Sequence, residues 1–347
     1  MQSRPRLTTC VGVAVFAAVL AGASRGAGTP PINPNFQIRS IGIDGTGARN
    51  LSQGPLNDYE PAVSPDGRKI AFSRATTPGD WDLWVMNSDG TGQRAIASFG
   101  KQSELDATWS PDGRLIAFGS VTQSSCPPRF CGSQTLWVVR PDGTGLRRIS
   151  DDARYPRWSP DGRKLVFEGR IDPYGEANAI YVARAAGGGA RRLVRARGIF
   201  AHPVWSPNGR RIAFIWGAGL YVTRADGTRR TRLVLRAREP EWAPGNAIAF
   251  QKYGSAHRPL IAIVSSRGGR WRSIAFGDKV AWNRRGRQLV FTYFSSRLAV
   301  IGPDGHGFRI VVDRPWELGL MRLGPWNWSR DGRTLFYSAR DNSNPPP

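Results

Sequence analysis

One ten-residue unit recurs along this chain and constrains its fold more than any other feature. VSPDGRKIAF at 63–72 returns as WSPDGRLIAF at 109–118, WSPDGRKLVF at 158–167 and WSPNGRRIAF at 205–214. Weaker copies follow as WAPGNAIAF at 242–250, WNRRGRQLVF at 282–291 and WSRDGRTLFY at 328–337. With the Phe of each copy as a marker, the spacings are 46, 49, 47, 36, 41 and 45 residues. A unit of that period cannot bury an apolar face alone, so it must stack on its neighbours.

Each copy reads as a hairpin. In Ser-Pro-Asp-Gly, Pro sets the first turn angle, Asp accepts local backbone hydrogen bonds and Gly takes the positive φ that ends the turn. The β-branched and aromatic run behind it is a strand. A second hairpin follows in most units, around the DGTG turns at 82–98 and 135–150, ADGTRR at 219–234 and PDGHG at 297–312. Four strands per unit make one propeller blade. The Gly-x-Gly pieces precede strands and not helices, which argues against phosphate loops.

The ends of the chain complement each other. A second hairpin, QIRSIGIDGTGARNLS at 37–52, stands before any SPDG copy, and the last SPDG copy has none after it. The expectation is an all-β, seven-bladed propeller over 35–340, with four antiparallel strands per blade. Its closing blade is a composite of 37–52 and 326–340, which removes exposed sheet edges. A linker at 24–34 and a flexible tail at 341–347 would flank it.

Composition narrows the function classes. The 347 residues are 40% hydrophobic, without the long apolar runs of a polytopic membrane protein. Three Cys and three His leave little for a structural metal cluster or a multi-histidine site, and no cofactor or metal is predicted. The net charge of +23 is uneven: 15 basic and 11 acidic groups fall in 1–150, against 34 and 15 in 151–347. Such a field concentrates anionic partners, although 44 of the 49 cations are Arg, a bias that codon composition alone can produce, and scattered surface charge mainly keeps a protein soluble.

Arg4 and Arg6 precede an apolar run at 7–23 that ends in small residues before Ser24 and Arg25. That is the layout of a secretory signal cleaved after Ala23, predicting a secreted or periplasmic, cell-envelope protein with no membrane span once cleaved. Export makes a disulfide between Cys126 and Cys131 an expectation, closing a small ring stiffened by Pro127 and Pro128.

The repeats resemble those of the TolB-type, WD40-like propeller family, whose signature W-S-P-D-G-[RK]-x-I-A-F followed by [IL]-[YW]-V and D-G is matched over about 35–340. The resemblance implies the propeller without the α/β domain that precedes it in the namesake, and without a peptidase domain. It is specific for fold and not for activity, since such propellers serve as interaction platforms, gates of serine peptidases and, at times, lyases.

Three groups of residues follow from the repeat. The motif aromatics Trp109, Trp158, Trp205, Trp242, Trp282 and Trp328, with Val63 in the first copy, are expected to pack between blades. Three residues before them, near the mouth of the central channel, stand Glu60, Asp106, Tyr155, His202, Glu239 and Lys279, with Pro325 in the last copy. These are binding candidates, or else caps of loops between blades. On the same face, where loop lengths vary, Trp81, Arg129, Phe130, Arg154, Tyr174, Trp216, Arg258 and Trp316 are loop-face candidates, with Arg74 and Arg238 nearby.

The function this predicts is a non-catalytic, monomeric binding scaffold for a protein or an anionic cell-envelope polymer, with no nucleic acid in vivo. One alternative is a polysaccharide lyase or hydrolase at the channel mouth, using His202 with Glu60, Asp106, Glu239 and Tyr155. H-E-x-x-H does not occur, and G-x-S-x-G occurs once, as GASRG at 22–26 at the end of the apolar N-terminal run and outside the repeats. A passive structural module of an envelope complex is the other alternative.

Overall fold

The computed structural model describes residues 36–77, 80–100, 102–122, 134–170, 178–194, 200–253, 259–294, 297–313 and 327–340. They form strands with no α-helix, and therefore no helix long and apolar enough to cross a membrane. The first strands are β1 (Phe36–Gly42) and β2 (Arg49–Asn50). A sheet group follows with β3 (Asp58–Val63), β4 (Lys69–Thr77), β5 (Asp80–Asn87) and β6 (Arg94–Ala97). The next holds β7 (Gln102–Trp109), β8 (Ile116–Thr122), β9 (Gln134–Val139) and β10 (Arg147–Ser150). These two groups are joined by a single parallel pair, Trp81 with Ser103.

Four separate antiparallel sheets come next. They are β11 (Arg154–Trp158), β12 (Lys164–Arg170), β13 (Asn178–Arg184) and β14 (Ala190–Arg192); then β15 (Phe200–Trp205), β16 (Arg211–Trp216), β17 (Gly219–Arg224) and β18 (Thr231–Leu235). The remaining two are β19 (Ala237–Trp242), β20 (Ala247–Tyr253), β21 (Pro259–Ser265) and β22 (Arg272–Phe276), and β23 (Asp278–Trp282), β24 (Leu289–Tyr293), β25 (Arg297–Ile301) and β26 (Arg309–Val312). The final strand, β27 (Thr334–Arg340), returns to the start of the chain.

There β27 pairs antiparallel with β1 from Phe36–Arg340 to Gly42–Thr334. This sheet has three strands, β2-β1-β27, and where a fourth was expected there is an isolated bridge between Trp328 and Leu335. It obeys the same local rules as sheets made from continuous chain. In those, the residue opening the second turn donates its amide to the carbonyl just past the first turn, as in Ser88 to Arg68, Ala185 to Arg163 and Ala225 to Arg210. Ile43 makes that bond to Arg333, at 2.9 Å, although the two lie at opposite ends of the sequence.

The turns owe their sharpness to side-chain chemistry. Ser64 Oγ donates to Asp66 Oδ1 at 2.6 Å, Asp66 accepts the Arg68 amide at 3.0 Å, and Lys69 N donates back to Ser64 Oγ at 2.9 Å. Gly67 closes the turn at φ 77°, where an L side chain would be strained. The Ser–Asp/Asn bond repeats at Ser110, Ser159, Ser206 and Ser329.

The core is divided among the gaps between sheets. The cluster of Ile38, Val63, Phe72 and Phe336 joins the β1–β27 sheet to the β3–β6 group, and Val290, Val300, Trp328 and Leu335 join it to the β23–β26 sheet. The motif Phe residues from Phe72 to Phe291 are fully buried, each burial worth roughly 2–3 kcal/mol. All six motif Trp are buried. Three indoles also tie to the sheet before them: Trp109 Nε1 donates to Ala62 O at 2.8 Å, Trp158 to Thr108 O at 3.0 Å and Trp282 to Glu241 O at 3.1 Å. Trp205, Trp242 and Trp328 have buried Nε1 groups without an acceptor among the described residues.

Turns of neighbouring sheets also touch. The glycines of most SPDG-type turns sit against the preceding turn: Gly113 on Pro65, Gly162 on Pro111, Gly209 on Pro160, Gly286 on Pro244 and Gly332 on Asn283, while Gly245 has no such neighbour within 4 Å. Gly67 of the first turn sits on Arg330 of the last. Arg284, occupying a Pro position of the repeat, donates to the carbonyls of Pro65 (3.2 Å), Val63 (3.4 Å) and Ser64 (3.1 Å), some 220 residues away. Burial, only partly offset by nearby Asp66, holds its pKa below the usual arginine value.

Candidate functional site

The innermost strand of each four-stranded group breaks register at the same place. The shifts fall between Tyr59 and Ala62, Leu105 and Thr108, Arg154 and Arg157, Ala201 and Val204, Arg238 and Glu241, and Asp278 and Ala281. Each interval contains one of the sequence-selected residues, and each of these is left-handed: φ is 55° at Glu60, 60° at Asp106, 55° at Tyr155, 51° at His202, 46° at Glu239 and 48° at Lys279. A non-glycine residue in that region carries strain of order 1 kcal/mol or more, and bulges of this kind re-aim a side chain beside functional sites. The seventh position, Pro325, lies outside the described residues.

Contacts link some of these residues to one another and to the neighbouring strands. Asp106 N donates to Glu60 Oε2 at 2.9 Å, and Gln134 Nε2 to Asp106 Oδ2 at 3.5 Å. His202 N donates to Glu168 Oε1 at 2.6 Å. The Tyr155 and His202 rings stack, centroids 5.0 Å apart and planes 25° apart, giving an aromatic surface beside an imidazole. Further round, Asp278 is raised by burial against the opposing pull of Lys279, with Glu239 adding to the rise, and Thr292 Oγ1 donates to its carboxylate.

Two features escaped sequence reading. Arg157 Nη2 bridges to Glu241 Oε1 at 3.2 Å, both side chains largely buried, from β11 to β19 with β15 lying between them in the chain. Its signal was present: the residue before the motif aromatic is uncharged in the other five copies but charged at Arg157 and Glu241. The second is Glu104, fully buried on β7, whose carboxyl is pushed up to about 8 by burial, despite the Ser120 hydrogen bond, with Asp82 and Asp80 adding to the rise. Glu104 Oε2 and Asp82 Oδ1 are buried without a hydrogen-bond partner. Among the described residues no group of three or more His, Cys, Asp or Glu has the geometry to hold a metal.

The loop-face residues divide. Trp81 packs on Tyr59 at 4.9 Å, and Tyr59 on Phe36 at 4.9 Å. Trp216 stacks on Phe200 at 5.5 Å with planes 5° apart, under Arg230 at 4.2 Å. Arg154 sits opposite Glu168 in the β11–β12 ladder. Arg238 lies over the Tyr253 ring at 4.7 Å. Arg74 is not at the surface: it is buried and forks onto Asp58 at 2.7 and 2.8 Å, because the β3–β4 ladder places the two opposite each other. Arg129, Phe130, Tyr174, Arg258, Trp316 and the Cys126–Cys131 pair lie outside the described residues.

Antiparallel sheets whose gaps are filled by repeated aromatics define a β-propeller, and the known proteins similar to this chain are of that class. No protein-family model matches. A protein TolB homolog of Chlorobium luteolum is 31% identical over 134 residues, 38% of this chain and 28% of the relative. The Tol-Pal system protein TolB of Geobacter sulfurreducens is 43% identical over 77 residues, 22% of this chain and 17% of the relative. The matched segments thus span less than a third of these relatives.

Among solved structures, a putative TolB from Agrobacterium tumefaciens superposes with a TM-score of 0.55 at 20% identity, covering 89% of this chain and 99% of the other. An oligogalacturonate lyase from Vibrio parahaemolyticus gives 0.66 at 11% identity, covering 90% and 98%. A puromycin-hydrolyzing peptidase of Mycobacterium tuberculosis gives 0.62 at 13%, covering 78% and 48%. The chain has a β-propeller fold and is similar to TolB proteins over part of its length. The low identities of these structures speak for the fold alone.

Proposed function

We propose that the chain is a closed ring of seven blades acting as an exported, non-catalytic platform that engages a partner protein at its channel mouth. Seven sheet groups, one of them shared by the two ends of the chain, and an equal number of core clusters between them support the ring. The basic and apolar N-terminal segment at 1–23 supports export. The observation that carries the platform is the set of six left-handed residues at the inner-strand bulges. Strain maintained at six equivalent places, with differing side chains, is what a rigid scaffold displaying a varied binding surface requires.

The test is retention of a partner by the exported protein near physiological salt, comparing the parent with Tyr155→Ala and Glu60→Ala. A platform loses its partner in these variants while melting as the parent does; equal retention refutes the mouth as the binding surface. An anionic envelope polymer fits the charge of the second half, and binding to it must weaken steeply between low and moderate salt.

The Tyr155–His202 stack favours one second reading, a polysaccharide lyase, in which a general base would stand beside an aromatic sugar platform. Turnover of a polyuronate that disappears in His202→Ala supports it; turnover that survives removes His202 from the mechanism.

A further inference from the structure

Large apolar side chains left in water are scattered singly on most proteins. Here they are not. Of the seven exposed large hydrophobics among the described residues, five lie on consecutive sheets of the second half: Leu235 (53%), Trp271 (40%), Phe276 (51%), Phe294 (52%) and Phe308 (45%).

Shared neighbours connect them. Lys252 Nζ donates to the carbonyl of Leu235 and lies 5.3 Å from the Trp271 ring, joining β18 to the loop before β22. In the ladders, Lys252 faces Leu260, and Leu260 faces Phe276. Gly277, next to Phe276, sits against the Phe291 ring and the carbonyl of Thr292. There the Tyr293 ring meets Phe294 at 4.4 Å and Phe308 at 5.3 Å.

The charge around this edge is predominantly positive. Arg232, Arg236, Arg270 and Arg272 are exposed beside these residues. The acidic residues between 229 and 309 are Glu239, Glu241, Asp278 and Asp304. The first three belong to the innermost strands, where Glu241 is already engaged by Arg157, while Asp304 accepts the His306 amide in its own turn and is an exposed carboxylate near Arg272. The outer edge is therefore cationic and apolar together.

We propose that this edge, from β18 through β22 to Phe294 just past β24, docks on an anionic lipid surface. Arginines would meet headgroup phosphates, and Trp271, Phe276 and Leu235 would enter the headgroup–acyl boundary. A hydrated acidic polymer would satisfy the arginines but leave the half-exposed rings in water; a bilayer interface satisfies both. None of the six left-handed inner-strand residues belongs to this surface, so this docking stands or falls apart from the platform reading.

The test is hydrogen–deuterium exchange of the full chain with vesicles of mixed phosphatidylglycerol and phosphatidylcholine, against vesicles of phosphatidylcholine alone. The expected result is slowed exchange at residues 231–236 and 271–277 with the anionic vesicles only, and none at β6 or β10. That protection should vanish in the W271S/F276S variant and weaken in R232Q/R272Q, while L146S, an exposed leucine on another sheet, keeps it. Thermal melting checks that each variant is folded.

Absence of protection at these strands, or equal protection at β10, overturns the proposal. So does protection by soluble polygalacturonate that is indifferent to W271S/F276S, which would mark a polymer site, or protection without vesicles that grows with protein concentration, which would mark self-association.

Discussion

Arg284 offers the sharpest test of how distant sheets are held together. Its guanidinium reaches from the turn after β23 to three consecutive carbonyls at the end of β3. Arg284→Met removes all three bonds and keeps most of the apolar stem. A hydrogen bond from a charged donor contributes about 1.5–3 kcal/mol, and lengths of 3.1–3.4 Å put these at the low end, giving a gross loss near 4 kcal/mol. Relief of the buried charge returns roughly half of that, consistent with its depressed pKa. The net expectation is about 2 kcal/mol, or roughly 4–8 °C in melting temperature for a large domain.

The assay is a thermal melt of R284M beside R285M, whose parent residue is exposed in the same turn and should shift stability by less than about 0.5 kcal/mol. Arg284→Lys should recover part of the difference, since an ammonium reaches fewer of the three carbonyls. Equal melting of R284M and R285M would refute the idea that this contact staples the ring.

Other consequences can be checked the same way. Glu104 has a native pKa near 8 against 4.5 when unfolded, so the native state binds a proton that the unfolded chain has released. Stability should thus fall as pH rises from about 4.5 through 8, by a few kcal/mol at most, and a melting-temperature series should lose that slope in Glu104→Gln. Trp158→Phe should cost about 1 kcal/mol more than Trp205→Phe by denaturant unfolding, because only the Trp158 indole has an acceptor. Deleting 35–52 should abolish a single cooperative transition, since β27 then loses its partner; a sharp melt in that truncation would contradict the shared sheet. In the Arg157–Glu241 pair, a double-mutant cycle should show coupling of about 1 kcal/mol or more, given the burial of both side chains.

Much of this protein was legible in its repeats because the information is local. The SPDG turns need only the residues within them, and the motif Phe and Trp announce core by recurring at the blade period. The orphan first hairpin and the truncated last unit already implied the β1–β27 pairing. The positions three residues before each motif aromatic could be singled out from the alignment of copies.

Tertiary structure decided what those positions do. No residue type at Glu60, Asp106, Tyr155, His202, Glu239 or Lys279 encodes a left-handed φ; the register shift against the neighbouring strand imposes it. Arg74 reads as a surface cation until the β3–β4 ladder sets it opposite Asp58. Arg284 and Arg330 look like decayed prolines in the sequence, yet one binds carbonyls some 220 residues away and the other supports Gly67. Turn chemistry acts over a few bonds and is written in the chain, whereas these contacts exist only once packing has brought distant sheets within reach of one side chain.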